Sequence, residues 1–301
     1  MFMKKPNFFI VGAPKCGTTA LNEYLKLHPE IFIVSRKEPH YFNTDIPKAR
    51  CFNKLERYLE LYKPCKSKHI AVGEASVWYL YSNDALDNIY QFNPNAKIII
   101  MVRNPIDMAY SLFSQLRYNL EEDQESFENA WHLQKIRKQG KKLPILTREA
   151  KFVQYGQVCK LSKQIERAYS IFPKEQIKVI IFDDFVADTR HIYQETLSFL
   201  GLNDDGKTKF PVINESNIYN IKWLQKFIYR PPKFLAMFFN RWKPIRDITN
   251  FLVEQIKKWN STNVKRPPLS DNFRQELADY FRDDVKKLSQ LLDRDLTHWL
   301  E

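Results

Sequence analysis

The sequence has no long apolar run and few cysteines. No segment approaches the ~20 apolar residues that a membrane-spanning helix needs. The run from Phe8 to Val11 behind the basic start is also too short for a cleavable signal peptide. The cysteines have no C-x-x-C spacing and predict neither a zinc site nor a disulfide framework: Cys16, Cys51, Cys65 and Cys159. We therefore expect no transmembrane segment and, by default, a cytoplasmic location.

The composition is basic and rich enough in apolar residues for a sizeable core. The chain has 301 residues, of which 44% are hydrophobic, and a formal net charge of +12. This size predicts a single domain over residues 1–301. Within it, we expect residues 1–205 to form a sheet core with the ligand motifs, and residues 206–301 to form a mostly helical cap and C-terminal helices. The positive charge favours anionic partners such as nucleotides, acidic glycans, nucleic acid or a membrane surface, without choosing among them.

Glycine is scarce, and two of the seven glycines bracket one short basic loop. Gly12 and Gly17 lie between an apolar run, which predicts a strand, and a helical pattern that opens at Thr18. Glycine allows a sharp turn and close approach to an anion, and the first amides of a helix lack internal partners. Lys15 adds a full positive charge. The loop therefore predicts a phosphate-binding site.

The spacing of this loop differs from that of nucleoside triphosphatases. Their pattern, G-x-x-x-x-G-K-[ST], puts a lysine directly after the second glycine, where this chain has Thr18. Lys15 lies inside the loop instead. This disfavours ATP–magnesium binding, and a chance turn before an ordinary helix remains the structural alternative. The positive surroundings of Cys16 would lower the pKa of its thiol, although a small residue that simply fits is the simpler interpretation.

A second informative stretch begins at Lys97. Residues 98–102 are all apolar and predict a strand buried on both faces of a parallel sheet. The strand is followed by Arg103, not by the aspartate that would hold magnesium in a triphosphatase, and Pro105 suits the first turn of a helix. Arg103 and Ser111 on that helix can converge on one phosphate. The alternative is an arginine that caps carbonyls and a serine that faces solvent.

Together, the two stretches resemble the donor-binding motifs of sulfotransferases that use 3′-phosphoadenosine 5′-phosphosulfate (PAPS). The 5′-phosphosulfate loop of that family is similar to Pro14-Lys15-Cys16-Gly17-Thr18-Thr19, and its second motif to R-N-P-x-x-x-x-x-S from Arg103 to Ser111. The resemblance implies an α/β fold, with a central parallel sheet flanked by helices in a P-loop-like sulfotransferase arrangement. It also implies a helical C-terminal region.

Softer similarities extend over nearly the whole chain. The heparan sulfate and bacterial carbohydrate branches have segments similar to Arg36-Lys37-Glu38-Pro39-His40-Tyr41-Phe42 and Gly73-Glu74-Ala75-Ser76. Ala75 replaces a lysine that is usual there. A later strand–helix unit is similar to Phe172–Ile177 with a strand over Lys178–Phe185 and then Phe199–Leu202. Residues 268–300 are also similar to the end of these sulfotransferases. The pattern of residues 270–292 predicts a capped amphipathic helix.

The resemblance implies transfer of a sulfuryl group from PAPS to a hydroxyl or amine, with release of 3′-phosphoadenosine 5′-phosphate (PAP). Lys15 is expected to neutralise the bridging oxygen of the leaving group. The residues that match the donor-binding positions are Lys15, Cys16, Gly17, Thr18, Thr19, Ala20, Arg103 and Ser111. The resemblance implies no requirement for a metal. The acceptor is left open between a carbohydrate and a small metabolite.

Three residues are candidates for the base that takes the acceptor proton. Glu38 comes first, because the matching glutamate serves as base in the heparan sulfate branch that this segment resembles. His40 comes second, since a histidine serves in other branches, and Glu74 third. The structural alternatives are an ion pair of Glu38 with Lys37 or Arg36, and packing of His40 in an aromatic cluster.

The stretch between Asn214 and Asn263 is basic and aromatic. Its helical spacing, with Trp223 and Phe227 among the apolar positions, favours packing against the sheet domain over binding to nucleic acid or a membrane. The resemblance suggests Lys222 as a further phosphate contact. Two functional alternatives stay open: a divergent nucleotide-dependent kinase, and a non-catalytic module that binds acidic glycan or nucleic acid. We expect no nucleic-acid partner, and the sequence is silent on oligomeric state.

Overall fold

The computed structural model describes residues 4–213, 217–229, 253, 255, 256, 259–264 and 266–301. They divide into two compact units that are interleaved along the chain. The first unit takes residues 1–109, 156–214 and 272–301, and the second takes residues 110–155 and 215–271. The single domain predicted from the sequence, with its change of character near residue 205, stays a prediction beside this division.

A five-stranded parallel sheet lies at the centre of the first unit. Its strands are β1 (Phe8–Gly12), β2 (Ile31–Ile33), β3 (Ala71–Ala75), β4 (Lys97–Val102) and β5 (Ile177–Ile181), in the spatial order β2-β3-β1-β4-β5. Every residue of β1 and β3, and all of β4 except Lys97, is buried. Such apolar strands are typical of a parallel sheet covered on both faces. The predicted α/β class with a central parallel sheet is confirmed.

Helices and short 3-10 turns alternate with the strands along the chain. The helices are α1 (Thr18–Leu25), α2 (Leu55–Leu59), α3 (Ala85–Phe92), α4 (Pro105–Tyr118), α5 (Phe127–His132), α6 (Gln134–Lys138), α7 (Tyr155–Cys159), α8 (Ser162–Ile171), α9 (Phe182–Ala187), α10 (Thr189–Leu200), α11 (Lys222–Tyr229) and α12 (Asp271–Leu292). The 3-10 turns are Glu60–Tyr62, Ala150–Val153, Lys174–Gln176 and Thr297–Leu300. In the described part of the chain, no helix combines the length and the apolar character that crossing a bilayer requires.

The strand predicted over residues 178–185 is wrong in its second half. The structure ends β5 at Ile181 and starts α9 at Phe182. Asp183 and Asp184 lie in the first turn of α9. Carboxylates there interact favourably with the positive end of the helix dipole, so they favour a helix at this point. Phe182 is thereby placed at the carboxyl end of the sheet.

The long helix predicted over residues 270–292 is confirmed as α12. Its buried face follows helical spacing through Phe273, Leu277, Phe281, Val285 and Leu288. Asp284 lies on the same side and accepts hydrogen bonds at the start of α8, from the Leu161 N–H (2.8 Å) and the Ser162 hydroxyl (2.5 Å). A distant carboxylate therefore satisfies the first donors of α8.

The second unit contains α4 from Tyr110 onward and all of α5, α6 and α11. It also contains a small antiparallel pair of strands. That pair joins β6 (Asn217–Tyr219) to β7 (Ser261–Asn263). Trp223 and Phe227 are 71% and 48% exposed, and the packing of the aromatic stretch against the sheet domain stays a prediction. The positions from Arg230 to Arg241, and the side chain of Lys222, lie outside the residues that the structure describes.

Candidate active site

The loop between β1 and α1 has the predicted strand–turn–helix arrangement. The Ala13 N–H donates to the Met101 carbonyl (2.8 Å) and holds the loop against β4. Lys15 and Gly17 both have positive φ, at 65° and 89°. Gly17 is the residue that caps α1, and its carbonyl accepts the Leu21 N–H (3.2 Å).

Gly17 is required here by both its conformation and its surroundings. A Cβ atom added at this residue would lie 3.0 Å from two carbons of the Phe182 ring and 3.3 Å from the Met101 methyl group. Real Cβ atoms rarely approach neighbours so closely, and the positive φ adds strain for any L side chain. Phe182 therefore limits the loop to glycine, a restriction that sequence reasoning missed because it placed Phe182 inside a strand.

The start of α1 presents backbone hydrogen-bond donors. The amides of Thr18, Thr19 and Ala20 belong to the first turn, which has no preceding turn to accept their hydrogen bonds. No acidic residue lies in this turn. With Lys15 in the preceding loop, the helix start is arranged to bind an anionic phosphate.

Arg103 lies directly beside this loop. Its Nη1 is 3.4 Å from the Lys15 carbonyl oxygen, and its Cζ is 4.5 Å from the centre of the Phe182 ring. Its Nη2 is 3.5 Å from a carboxylate oxygen of Asp107, in the first turn of α4. The two stretches singled out in the sequence are thus brought together at one edge of the sheet. Their roles toward a donor stay predictions.

Ser111 is buried on α4, eight positions after Arg103. It belongs to the second unit, whereas Arg103 belongs to the first. The convergence of these two side chains on one phosphate therefore stays a prediction.

Cys16 is fully buried within the loop, and its thiol donates to the Pro14 carbonyl (3.5 Å). Burial raises the pKa of the Cys16 thiol to about 12, although the charges of Arg103 and Lys15 act in the opposite direction. The lowered thiol pKa considered from the sequence is therefore wrong. The thiol stays protonated near neutral pH, and Cys16 is a small side chain that fits the loop.

Glu38 and His40 form a pair beside the end of β3. The Glu38 N–H donates to the Ala75 carbonyl (3.0 Å), and His40 Nε2 lies 3.2 Å from Glu38 Oε2. Burial acts to raise the pKa of Glu38, but the hydrogen bond from His40 and the charge of Lys37 outweigh it and lower the pKa to about 2. Glu38 is therefore ionised and able to accept a proton, with His40 behind it as hydrogen-bond partner.

Lys37 links this pair to the start of α1, next to the Lys15 loop. Sequence reasoning missed this contact. Lys37 Nζ donates to the Thr19 hydroxyl oxygen at the start of α1 and lies 3.2 Å from Glu38 Oε1. From the sequence, Lys37 counted only as an ion-pair partner of Glu38. The available signal was its place directly before the candidate base, on a segment that follows a strand.

Glu74, the third candidate base, is fully buried on β3. Its carboxylate accepts hydrogen bonds from three hydroxyl groups, those of Tyr58, Ser76 and Tyr79. Burial raises the pKa of Glu74 to about 7, and these hydrogen bonds partly offset the effect.

The segment after α12 closes over the same edge of the sheet. The Trp299 carbonyl accepts from Asn104 Nδ2 (2.8 Å), and its indole Nε1 donates to Asp183 (2.6 Å). Trp299 thereby holds the residues that follow Arg103 and Phe182. Among the described residues, no group of three histidine, cysteine or acidic side chains is placed to hold a metal ion.

Known proteins resemble this chain in both sequence and structure. The Sulfotransferase domain family model matches residues 5–266. Carbohydrate sulfotransferase 15 from Mus musculus is 32% identical, over 35% of this chain and 26% of that protein. Heparan sulfate glucosamine 3-O-sulfotransferase 6 from Homo sapiens is 34% identical, over 36% of this chain and 30% of that protein.

The similarity to a solved structure covers more of the chain. The crystal structure of a sulfotransferase from Alicyclobacillus acidocaldarius is 26% identical, with a TM-score of 0.72, over 99% of this chain and 100% of that one. In contrast, the chain matches about a quarter of the length of the mouse relative. The family match over residues 5–266, together with this common fold, confirms the resemblance found in the motifs. This chain belongs to the sulfotransferase domain family.

Proposed function

We propose that the protein is a sulfotransferase that moves a sulfuryl group from PAPS to a hydroxyl or amine of an acceptor and releases PAP. The observation that carries the proposal is the contact between the Lys15 loop and Arg103, in a chain of this family. These two cationic groups lie beside a helix start whose first amides have no intrahelical partner. Such a set of donors fits a ligand with phosphate groups at two positions.

In the proposed reaction, the acceptor oxygen or nitrogen loses its proton to a carboxylate oxygen of Glu38 as it attacks sulfur. A new bond from sulfur to the acceptor forms while the bond from sulfur to the bridging oxygen breaks, and that oxygen leaves with PAP. Lys15 stabilises the negative charge that develops on it. By analogy with phosphoryl transfer, positioning and charge stabilisation supply most of the rate enhancement.

His40 and Lys37 hold the Glu38 carboxylate in position. Both contact it, at 3.2 Å each, and both favour its ionised form. His40 is almost fully buried, whereas the side chain of Glu38 is 32% exposed. An acceptor can therefore reach Glu38 and not the histidine, which supports Glu38 as the base and His40 as its partner.

We propose a carbohydrate as the acceptor class to test first. The printed names of the relatives describe sulfotransferases of carbohydrate and of heparan sulfate glucosamine. The net charge of +12 also favours an anionic partner. A small hydroxylated metabolite is the second class.

Binding and turnover measurements test the proposal. Isothermal titration calorimetry with PAP should give a dissociation constant that is unchanged by EDTA, and mass spectrometry should find acceptors heavier by one sulfate after incubation with PAPS. Absence of PAP binding would overturn the proposal. Binding of ATP that requires magnesium would favour the kinase alternative, and glycan binding with a steep salt dependence but no turnover would favour the non-catalytic module.

A further inference from the structure

A buried carboxylate organises the segment that carries the candidate base. Glu74 is fully buried, and three hydroxyl groups point at it. Tyr58 and Tyr79 donate to its Oε1 (2.7 and 3.1 Å), and Ser76 donates to its Oε2 (2.7 Å). Above its raised pKa of about 7, the Glu74 carboxylate is ionised and can only accept hydrogen bonds, so it fixes the direction of each hydroxyl proton.

Two of these hydroxyl groups also accept from the backbone of the neighbouring segment. The Ser76 oxygen accepts the His40 N–H (3.1 Å). The Tyr79 oxygen accepts the Tyr41 N–H (2.8 Å) and the Phe42 N–H (3.3 Å). Because their protons face Glu74, the lone pairs of both oxygens are available to the three amides.

The segment needs such support because its backbone is strained. Glu38 and His40 have φ angles of 59° and 49°, in the left-handed region that non-glycine residues seldom adopt. Such conformations persist only where the surrounding structure holds them. Side chains supply several of the partners in this segment: Arg50 donates to the Tyr41 carbonyl (3.1 Å) and Asn88 to the Phe42 carbonyl (2.8 Å).

We propose that Glu74 is a positioning residue, which acts through the hydroxyl groups of Ser76 and Tyr79 to fix the backbone of residues 40–42 and so to hold His40 against Glu38. The inference deepens the proposed function and rests on it for the catalytic consequence. The hydrogen-bond network stands independently of that function. Glu74 is closed off from an acceptor because it is fully buried and its oxygens are occupied by three hydroxyl protons.

The chain offers a matched control among the three hydroxyl groups. Tyr58 donates to Glu74 as Tyr79 does, but its hydroxyl partners are Glu74 and Tyr62, not the segment backbone. Tyr58→Phe and Tyr79→Phe therefore each remove one hydroxyl group that donates to the Glu74 carboxylate, and each retains the ring. Only Tyr79→Phe, and likewise Ser76→Ala, removes an acceptor from residues 40–42.

Hydrogen exchange measured by mass spectrometry above pH 7, where Glu74 is ionised, tests the network without PAPS or an acceptor. In Ser76→Ala and Tyr79→Phe we expect exchange in residues 38–43 to rise about tenfold, as the loss of one buried hydrogen bond implies. Exchange in strand β4 should stay as in the wild type. Glu74→Gln should change exchange in the same direction, because a neutral amide no longer orders all three hydroxyl protons, and Tyr58→Phe should leave residues 38–43 unchanged. Equal exchange in Tyr58→Phe and Tyr79→Phe would overturn the inference.

Kinetics and calorimetry separate positioning from donor binding. We expect Tyr79→Phe and Glu74→Gln to lower kcat about tenfold while the dissociation constant of PAP stays within twofold, and Tyr58→Phe to keep wild-type kcat. A Glu74→Gln variant without turnover but with wild-type exchange in residues 38–43 would overturn the positioning role in favour of direct proton transfer. If the wild type binds no PAP, the proposed function fails, while the exchange experiment still decides the network.

Discussion

The guanidinium Nη1 of Arg103 lies 3.4 Å from the backbone carbonyl oxygen of Lys15, although the two residues are 88 positions apart in the sequence. They meet because β1 and β4 are neighbouring parallel strands, whose carboxyl ends share one edge of the sheet. The amide at the other side of the same loop, that of Ala13, is held by the Met101 carbonyl of β4. Both the loop and the arginine are therefore held at the carboxyl end of β4.

Lys15→Ala should lower kcat for sulfuryl transfer by on the order of 10²- to 10³-fold, because it removes the charge that stabilises the leaving oxygen. Steady-state assays with PAPS and an accepted carbohydrate measure this change. Lys68→Ala, which removes an exposed lysine of the same unit, is the control and should keep wild-type kcat. Equal activity in the two variants would exclude the role assigned to Lys15.

Arg103→Ala should weaken binding of PAP about 100-fold, since a charge-assisted contact to one phosphate is lost. Binding of adenosine 5′-phosphate, which lacks the 3′-phosphate, should change by less than about threefold. Calorimetry with both nucleotides gives the comparison. A similar loss for the two ligands would mean that Arg103 supports the loop around Lys15 and does not read the 3′-phosphate.

Lys37→Met should shift the acid limb of the pH profile of kcat/KM toward higher pH. Lys37 and His40 both contact the Glu38 carboxylate, and together they lower its pKa to about 2. Removing the Lys37 charge raises that pKa, so protonation of the base begins at a higher pH. Lys37→Arg keeps the charge and is the control. Identical acid limbs in Lys37→Met and wild type would contradict Glu38 as the base.

The free energy of unfolding should fall as the pH rises from 4.5 to 7, owing to Glu74. Burial raises the pKa of Glu74 from 4.5 to about 7 in the folded protein, so below pH 4.5 the group is protonated in both states. As the pH rises, the unfolded chain ionises first and is favoured, by up to about 3 kcal/mol once both states are ionised. The pKa of Glu38 is lowered from 4.5 to about 2, so its contribution to the free energy of unfolding is lost only as the pH falls below 4.5.

Chemical denaturation of wild type and Glu74→Gln at pH 5 and at pH 7 measures the effect. The variant has no carboxyl group at this position, so the difference between its two free energies should be smaller by about 2 to 3 kcal/mol. The same pH dependence in both proteins would show that Glu74 is not the group responsible.

Much of the sheet, and of the edge where Lys15 and Arg103 meet, was predictable from the sequence. Local signals there agree with the tertiary structure. Residues 98–102 are apolar without alternation, and β4 occupies Lys97–Val102 as predicted. The meeting of Lys15 and Arg103 follows from two strand ends in one parallel sheet. The glycines of the loop predicted its sharp turn, and the structure gives Gly17 a positive φ.

The features that were missed depend on contacts between distant parts of the chain. The helix that begins at Phe182 ends the strand earlier than predicted, and the role of Phe182 against Gly17 appears only when the two strand ends are brought together. The ordering of His40 by Glu74 passes through Ser76, 36 positions from His40. Spacing in the sequence carries no signal for such a relay, since the partners lie on separate elements.

Trp299 fastens this edge from very far along the chain, with sequence separations of 195 to Asn104 and 116 to Asp183. Closing loops of that size costs entropy before the contacts reward it. Consider nascent chains stalled on the ribosome so that residue 290 is the last to have emerged. All five strands have then been synthesised, but we expect such chains to bind no nucleotide. Nucleotide binding should appear abruptly when Trp299 emerges. The timing of translation would then determine when the protein becomes able to bind PAPS.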